Sequence, residues 1–138
     1  MSVNLTRYAM WFAGASLVAL TLVMAVQMVF SVQLGSAFVP IIPAMVAAMV
    51  EGSKWAKSSR EKLPAPWKDA GAMTGVAIGL TALLILATTP AVLGMGREGI
   101  RVVILISGVY AIFWLITNRV FLGMGARNEW AAQDRRGS

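Results

Sequence analysis

Apolar residues run along this chain in long stretches that are separated by short polar segments. The first stretch, Tyr8 to Phe30, carries no charged residue, and Gln27 is its one strongly polar residue. About 20 consecutive apolar residues cross the hydrocarbon core of a bilayer as a helix. Two later stretches, Ala70 to Thr89 and Val102 to Leu122, meet this length. The pattern therefore predicts three membrane-spanning helices.

A further apolar stretch, Ser36 to Val50, is shorter and contains Pro40 and Pro43. Its length also fits a re-entrant or buried segment. We predict a full span, because an even number of crossings explains the distribution of charge along the chain. The two prolines are then expected in or near the first helical turn, where a missing N–H costs little.

The polar segments between the apolar stretches alternate between many basic residues and few or none. Ten of the twelve lie in the first, third and fifth segments: Arg7; Lys54, Lys57, Arg60, Lys62 and Lys68; and Arg119, Arg127, Arg135 and Arg136. Only Arg97 and Arg101 lie in the other segments. Since basic residues are retained on the cytoplasmic side, both termini are predicted to be cytoplasmic.

Composition supports a lipid environment and excludes several kinds of chemistry. Hydrophobic residues make up 58% of the 138 residues and charged residues 13%, and so small a domain cannot hide that much apolar surface from water. The chain has no cysteine and no histidine, which excludes disulfides, histidine-based metal sites and Ser-His triads. The net charge of +6 is spread over three segments, so we expect no nucleic-acid partner.

The predicted fold is an all-α membrane protein with four transmembrane helices in an antiparallel bundle, forming one integral membrane domain over residues 1–138. The helices are placed at about 8–30, 36–57, 69–90 and 101–123, with a cytoplasmic loop at about 51–69 and a cytoplasmic tail at 124–138. A cleaved signal peptide is the alternative for the N-terminus. The first apolar stretch is longer than the 7–15 residues typical of a signal peptide, which favours an uncleaved anchor.

Small residues recur every four positions in the second and third spans. Residues at this spacing share one helix face, and close approach of backbones drives helix association in lipid. The two faces are Gly71, Gly75 and Gly79 in the third span and Ala44, Ala48 and Gly52 in the second. We predict that these faces pack together as an antiparallel hairpin. Contact with a second copy is the alternative.

Aromatic and polar residues suggest further roles within the spans. Interfacial anchoring is predicted for Tyr8, Trp11, Trp55 and Trp67, whereas Trp114 is expected to pack between helices. A polar path is possible through Gln27, Thr74, Thr81 and Ser107, although a structural role for these groups is favoured. The span centres carry no ionisable residue, and Glu51 with Lys54 is interpreted as a helical surface pair. We expect no catalytic residues, no cofactor and no metal, because no acid–base constellation or ligand cluster is present.

Three short elements stand in a distinctive order along the chain: Leu5-Thr6-Arg7-Tyr8 before the first span, Gly52 with Trp55, and Arg60 with Pro64. With these elements the chain resembles a family of small bacterial inner-membrane proteins with four helices and no characterised function. The resemblance covers nearly the whole chain. It implies a multi-pass protein of the bacterial inner membrane and implies no activity.

Three functional hypotheses follow from these observations. The first is a non-enzymatic membrane protein that acts as an accessory or scaffold subunit of a larger membrane complex, or as a homo-oligomer. The second is a small transporter or channel that works as an oligomer. The third is lipid or quinone binding between the helices, which no particular residue favours.

Overall fold

The computed structural model describes residues 3–31, 40–61, 64–88 and 91–137. Within them 91% of the residues are helical and none lies in a strand, which confirms the predicted all-α class. The helices are α1 (Leu5–Phe30), α2 (Ile41–Ser58), α3 (Pro66–Thr88), the four-residue α4 (Ala91–Gly94) and α5 (Arg97–Gly137).

Three of the described helices, α1, α3 and α5, are long and apolar enough to cross a membrane. The second predicted span corresponds to α2, which has 18 residues and does not meet the same combined requirement. Its predicted start, at residues 36–39, lies outside the described residues. Pro40 caps α2 and Pro43 lies in its first turn, as predicted, where neither removes an established helical hydrogen bond.

Local signals fix the ends of the helices. The side chain of Asn4 accepts a hydrogen bond of 3.0 Å from the backbone N–H of Arg7, which satisfies one of the unpaired donors in the first turn of α1. Ser31, at the other end of α1, adopts a left-handed conformation with φ of 51°. Gly96, with φ of 58°, separates α4 from α5 in a conformation that glycine adopts without steric cost.

Helices α2 and α5 lie side by side, run in the same direction and form the most extensive contact of the bundle. The indole Nε1 of Trp114 donates to the Pro40 carbonyl at one end of the pair, at 2.9 Å. The side chain of Arg60 contacts Asp134 at the other end, at 2.6 Å. Between these points a Cβ added to Gly52 would overlap the backbone carbonyl of Leu122. This close backbone contact explains how the two helices remain together along their whole shared length.

Helix α1 packs against α2, and α3 packs against α5. Aromatic rings fill the space between α1 and α5: Phe12 meets Tyr8 at a centroid distance of 6.0 Å and Trp114 at 6.2 Å, edge to face. Tyr110 lies 5.7 Å from Trp114. Tyr8, Phe12 and Trp114 are buried, which confirms the prediction that Trp114 packs between helices.

One predicted boundary differs from the structure. The tail predicted at 124–138 is not separate from the fourth span, because α5 continues through it to Gly137. The second helix, predicted to end at about 57, ends at Ser58, so it extends into the loop predicted at 51–69 as expected. Both extensions are helical because they pack on each other: the side chain of Gln133 donates to the Ala56 carbonyl at 3.2 Å, and Trp130 donates to that of Ser59 at 2.6 Å.

Candidate functional site

A row of buried polar side chains links three helices in the interior of the bundle. The hydroxyl of Tyr8 in α1 donates to Oδ1 of Asn118 in α5, at 2.8 Å. The amide Nδ2 of Asn118 donates to the hydroxyl of Thr74 in α3, at 3.2 Å. Thr74 in turn donates to the carbonyl of Ala70 one turn earlier, at 2.7 Å. Each of the three side chains bonds to another member of the row, so the row links α1, α3 and α5 by interhelical hydrogen bonds.

A second polar cluster lies where α1 begins. The Glu51 carboxylate is completely buried and accepts from Nε and Nη2 of Arg7 at 2.5 and 2.9 Å. It also accepts from the backbone N–H of Asn4 at 3.0 Å. The predicted surface pair of Glu51 with Lys54 is therefore wrong. Glu51 instead faces α1, because its position on α2 coincides with the face that α1 covers.

The contacts within these two clusters are hydrogen bonds and one ion pair. Among the described residues, no group of three His, Cys, Asp or Glu side chains could hold a metal ion. Asp69 is also buried and has an interaction partner. The side chains of the two clusters bond to one another across helices, so they connect the helices structurally.

The predicted polar path is dispersed in the structure. Thr74 belongs to the hydrogen-bonded row, and Gln27 is half-buried. Thr81 lines a cavity of about 190 Å³ together with Tyr110. Ser107 is buried, and its hydroxyl has no hydrogen-bond partner in the described part of the chain. Of the four side chains, the structure thus assigns a definite role only to Thr74.

The predicted hairpin between the second and third spans is not formed. A Cβ at Gly71, Gly75 or Gly79 would meet nothing within 4 Å, and all three residues are exposed. The small-residue face of α2 is buried, as expected, but it does not pack against α3. Ala44, Ala48 and Gly52 lie on α2, whose main partner is α5. The glycine spacing identified a small-residue face on each helix and did not identify its partner.

The predicted interface anchors fall into two groups. Trp11 and Trp67 are 47% and 59% exposed, and Trp55 is half-buried with an unpartnered Nε1. Tyr8 is completely buried, so the anchor prediction is wrong for this residue. Its hydroxyl is satisfied by Asn118 instead of by water at the membrane surface.

Sequence reasoning missed two residues that matter in this arrangement. Asn118 was passed over although it is an amide within the fourth apolar stretch, a type of side chain that needs a partner in lipid. Gly125 was also passed over; a Cβ there would overlap the Met49 carbonyl. No sequence signal marks this position, because the contact depends on the parallel pairing of α2 with α5, which only the structure shows.

Comparisons with known proteins add no functional information for this arrangement. No family model, no curated protein and no solved structure matches the chain.

Proposed function

We propose that this chain is a non-enzymatic integral membrane protein that works by associating with other membrane helices. It would serve as an accessory or scaffold subunit of a larger complex, or as a homo-oligomer. The proposal includes four spans in a bacterial inner membrane, with both termini in the cytoplasm. The resemblance to small bacterial inner-membrane proteins stays a prediction consistent with it.

The observation that supports association is the open glycine face of α3. Gly71, Gly75 and Gly79 lie on one side of this helix, and no atom of the residues that the structure describes is near enough to touch an added Cβ. In lipid there is no hydrophobic force between helices, so backbone approach over small residues is a main source of affinity. A helix from another chain can approach α3 closely along this face.

The orientation of the helices supports the proposed topology. Helices α2 and α5 run in the same direction, from the Pro40–Trp114 contact to the Arg60–Asp134 contact. Their far ends therefore lie on the same side of the bundle as Arg7 in the first turn of α1, which contacts Glu51. This arrangement brings together the segments that carry ten of the twelve basic residues, as the retention of basic residues in the cytoplasm requires.

A small oligomeric transporter or channel is the alternative. It would need a polar route through the spans, whereas the polar side chains of the row through Thr74 bond to one another. The unpartnered hydroxyl of Ser107 is the observation that most favours such a route.

The test is gentle detergent extraction from native membranes, separation by native size and identification of the proteins that co-migrate. A larger assembly with other proteins would support an accessory subunit. Migration as a dimer or larger homo-oligomer would support self-association and justify uptake assays. Gly75→Leu should reduce the assembly, whereas the control Gly108→Leu, at another open glycine, should not. A monomer without partners in native membranes would overturn the proposal.

A further inference from the structure

A groove of about 550 Å³ lies between the N-terminal end of α3 and the second half of α5. This volume is within the range of about 300–1,000 Å³ that is usual for small-molecule sites. Its walls include Trp67 of α3 and, on α5, Ile116, Arg119, Gly123, Arg127 and Trp130. The α5 residues recur at helical spacing, so they form one continuous stripe.

The groove carries positive charge that nothing in the described part of the chain neutralises. Arg119 is half-buried, and its Nε is buried without a hydrogen-bond partner. Its guanidinium carbon lies 5.6 Å from the centre of the Trp67 ring. Neither Arg119 nor Arg127 forms an ion pair with a described residue, and none of the lining residues is acidic. A buried donor on a cation gains from an acceptor, and an anionic acceptor forms the stronger, charge-assisted hydrogen bond.

The two arginines of the groove flank Gly123. A Cβ at Gly123 would lie 3.4 Å from Nη1 of Arg119, so the guanidinium of Arg119 lies beside this glycine. Arg127 follows Gly123 by one turn on the same face of α5 and lines the same groove. The N-terminus of α3 at Pro66 borders the same groove and adds the positive end of a helix dipole.

The groove is apolar at one end and cationic at the other. A phospholipid likewise has apolar acyl chains at one end and a charged headgroup at the other. Ile116 and Val120 line the part nearest the middle of the apolar stretch, whereas Arg127 and Trp130 line the part beyond its end. Trp67, which is 59% exposed, comes just before the apolar part of α3, and indole rings favour the membrane–water boundary. The same groove therefore offers an apolar wall and a cationic end.

We propose that this groove binds the headgroup of an anionic phospholipid. The phosphate lies over Gly123 between Arg119 and Arg127, and the glycerol and first acyl carbons lie against Ile116 and Val120. Basic pockets between membrane helices recognise lipid phosphates in this way. The groove reaches the start of the glycine face of α3 at Trp67, but its basic residues are on α5. Lipid binding there goes beyond the proposed association with other membrane helices.

The experiment is native mass spectrometry of the full chain, released from detergent after titration with phosphatidylglycerol or with phosphatidylethanolamine. Lipid adducts on a single protein chain are counted, so the result is independent of any protein partner. Phosphatidylglycerol should bind in preference to phosphatidylethanolamine. Arg119→Gln and Arg127→Gln should each weaken this binding about fivefold, the value expected for one basic residue at a lipid surface.

Two controls separate a site from general attraction. Arg97→Gln removes the same charge at the opposite end of α5 and should leave binding unchanged. Gly123→Leu keeps every charge, fills the groove and should weaken binding at least as much as Arg127→Gln. If Arg119→Gln fails to fold, as judged by helicity and elution volume, Gly123→Leu serves as the test variant instead. Equal losses in Arg97→Gln and Arg127→Gln, no loss in Gly123→Leu, or no preference for the anionic lipid would each overturn the proposal.

A competition experiment distinguishes a bound lipid from a bound soluble phosphate. Inorganic phosphate and glycerol phosphate are added to the complex of the protein with phosphatidylglycerol. Retention of the lipid at millimolar phosphate supports a lipid headgroup. Displacement of the lipid by either soluble anion would assign the groove to a soluble ligand and overturn the commitment to a lipid.

Discussion

Arg7 and Glu51 form an ion pair between the first turn of α1 and the end of the apolar part of α2, with Nε 2.5 Å from Oε1. The glutamate side chain is fully buried, whereas that of the arginine is 37% exposed. Two further donors, Nη2 of Arg7 and the N–H of Asn4, satisfy the other carboxylate oxygen. The pair fixes where α1 begins relative to α2.

Glu51→Gln should destabilise the protein by about 1–3 kcal/mol. Breaking a fully buried ion pair costs about 3–5 kcal/mol, and the partial exposure of Arg7 reduces this value through solvent screening. Thermal unfolding in detergent micelles, followed by circular dichroism, measures the change. Glu61→Gln, at an exposed acid, is the matched control. Equal stability of the two variants would show that the ion pair does not hold α1 on α2.

Gly52→Ala should weaken the contact between α2 and α5. An added methyl group would overlap the Leu122 carbonyl, and overpacking of this kind costs about 1–3 kcal/mol. The loss should appear as a lower unfolding temperature. Gly14→Ala places the same methyl group on a helix where nothing lies within 4 Å and should be neutral or slightly stabilising, because alanine favours helix more than glycine does. A Gly52→Ala protein as stable as Gly14→Ala would contradict the close approach of α2 and α5.

The stability of the paired extensions of α2 and α5 should depend on the charge of Glu129. Burial raises the pKa of this carboxyl, but hydrogen bonds from Gln133 and Ser53 and the charges of Arg136 and Lys57 outweigh burial and hold the pKa below its ordinary value of 4.5. A group with a depressed folded pKa stabilises the fold above its unfolded pKa, and this contribution is lost as pH falls through the folded pKa.

Glu129→Gln should therefore unfold at a lower temperature than the original chain near pH 7. The difference should shrink once the pH drops below 4.5, the ordinary value, as the original carboxylate takes up its proton. Unfolding temperatures of both proteins are compared from pH 7 to about pH 3 in one detergent. A difference that stays constant over this range would mean that the charge of Glu129 contributes nothing.

Reporter fusions test the proposed topology. Fusions at Gly35 and near Gly96 should report the outside of the membrane, and a fusion at Ser58 should report the cytoplasm, because basic segments are retained inside. A cytoplasmic signal near Gly96 would show that α2 does not cross. The fusion near Gly96 is the most informative of the three, because α2 is not among the three described helices that are long and apolar enough to span a membrane.

Local features of the fold could be read from the sequence because they depend on neighbouring residues. The length of the apolar stretches predicted α1, α3 and the first half of α5, and the prolines at 40 and 43 lie at the start of α2 as expected. The extension of α5 was missed because residues 124–137 are polar and become helical beside α2. No local pattern could reveal that stabilisation.

The partners of each helix could not be read from the sequence, for a physical reason. Spacing places small residues on one face but leaves open which helix covers it, so Gly75 and Gly52 carry the same signal and have opposite environments. The hydrogen bond between Tyr8 and Asn118 joins positions that are 110 residues apart. Only the packing of α1 against α5 decides that a tyrosine at a helix start is buried instead of lying at the membrane surface.

The uninterrupted length of α5 has a mechanical consequence. Its 41 residues extend over about 60 Å at the usual helical rise, about twice the thickness of the hydrocarbon core. The helix is therefore a stiff rod that is held along one half and braced by α2 beyond it. Because this second half is bonded to the end of α2 as far as Asp134, any tilt of α5 would carry the end of α2 with it, and the two helices would move as one rigid strut.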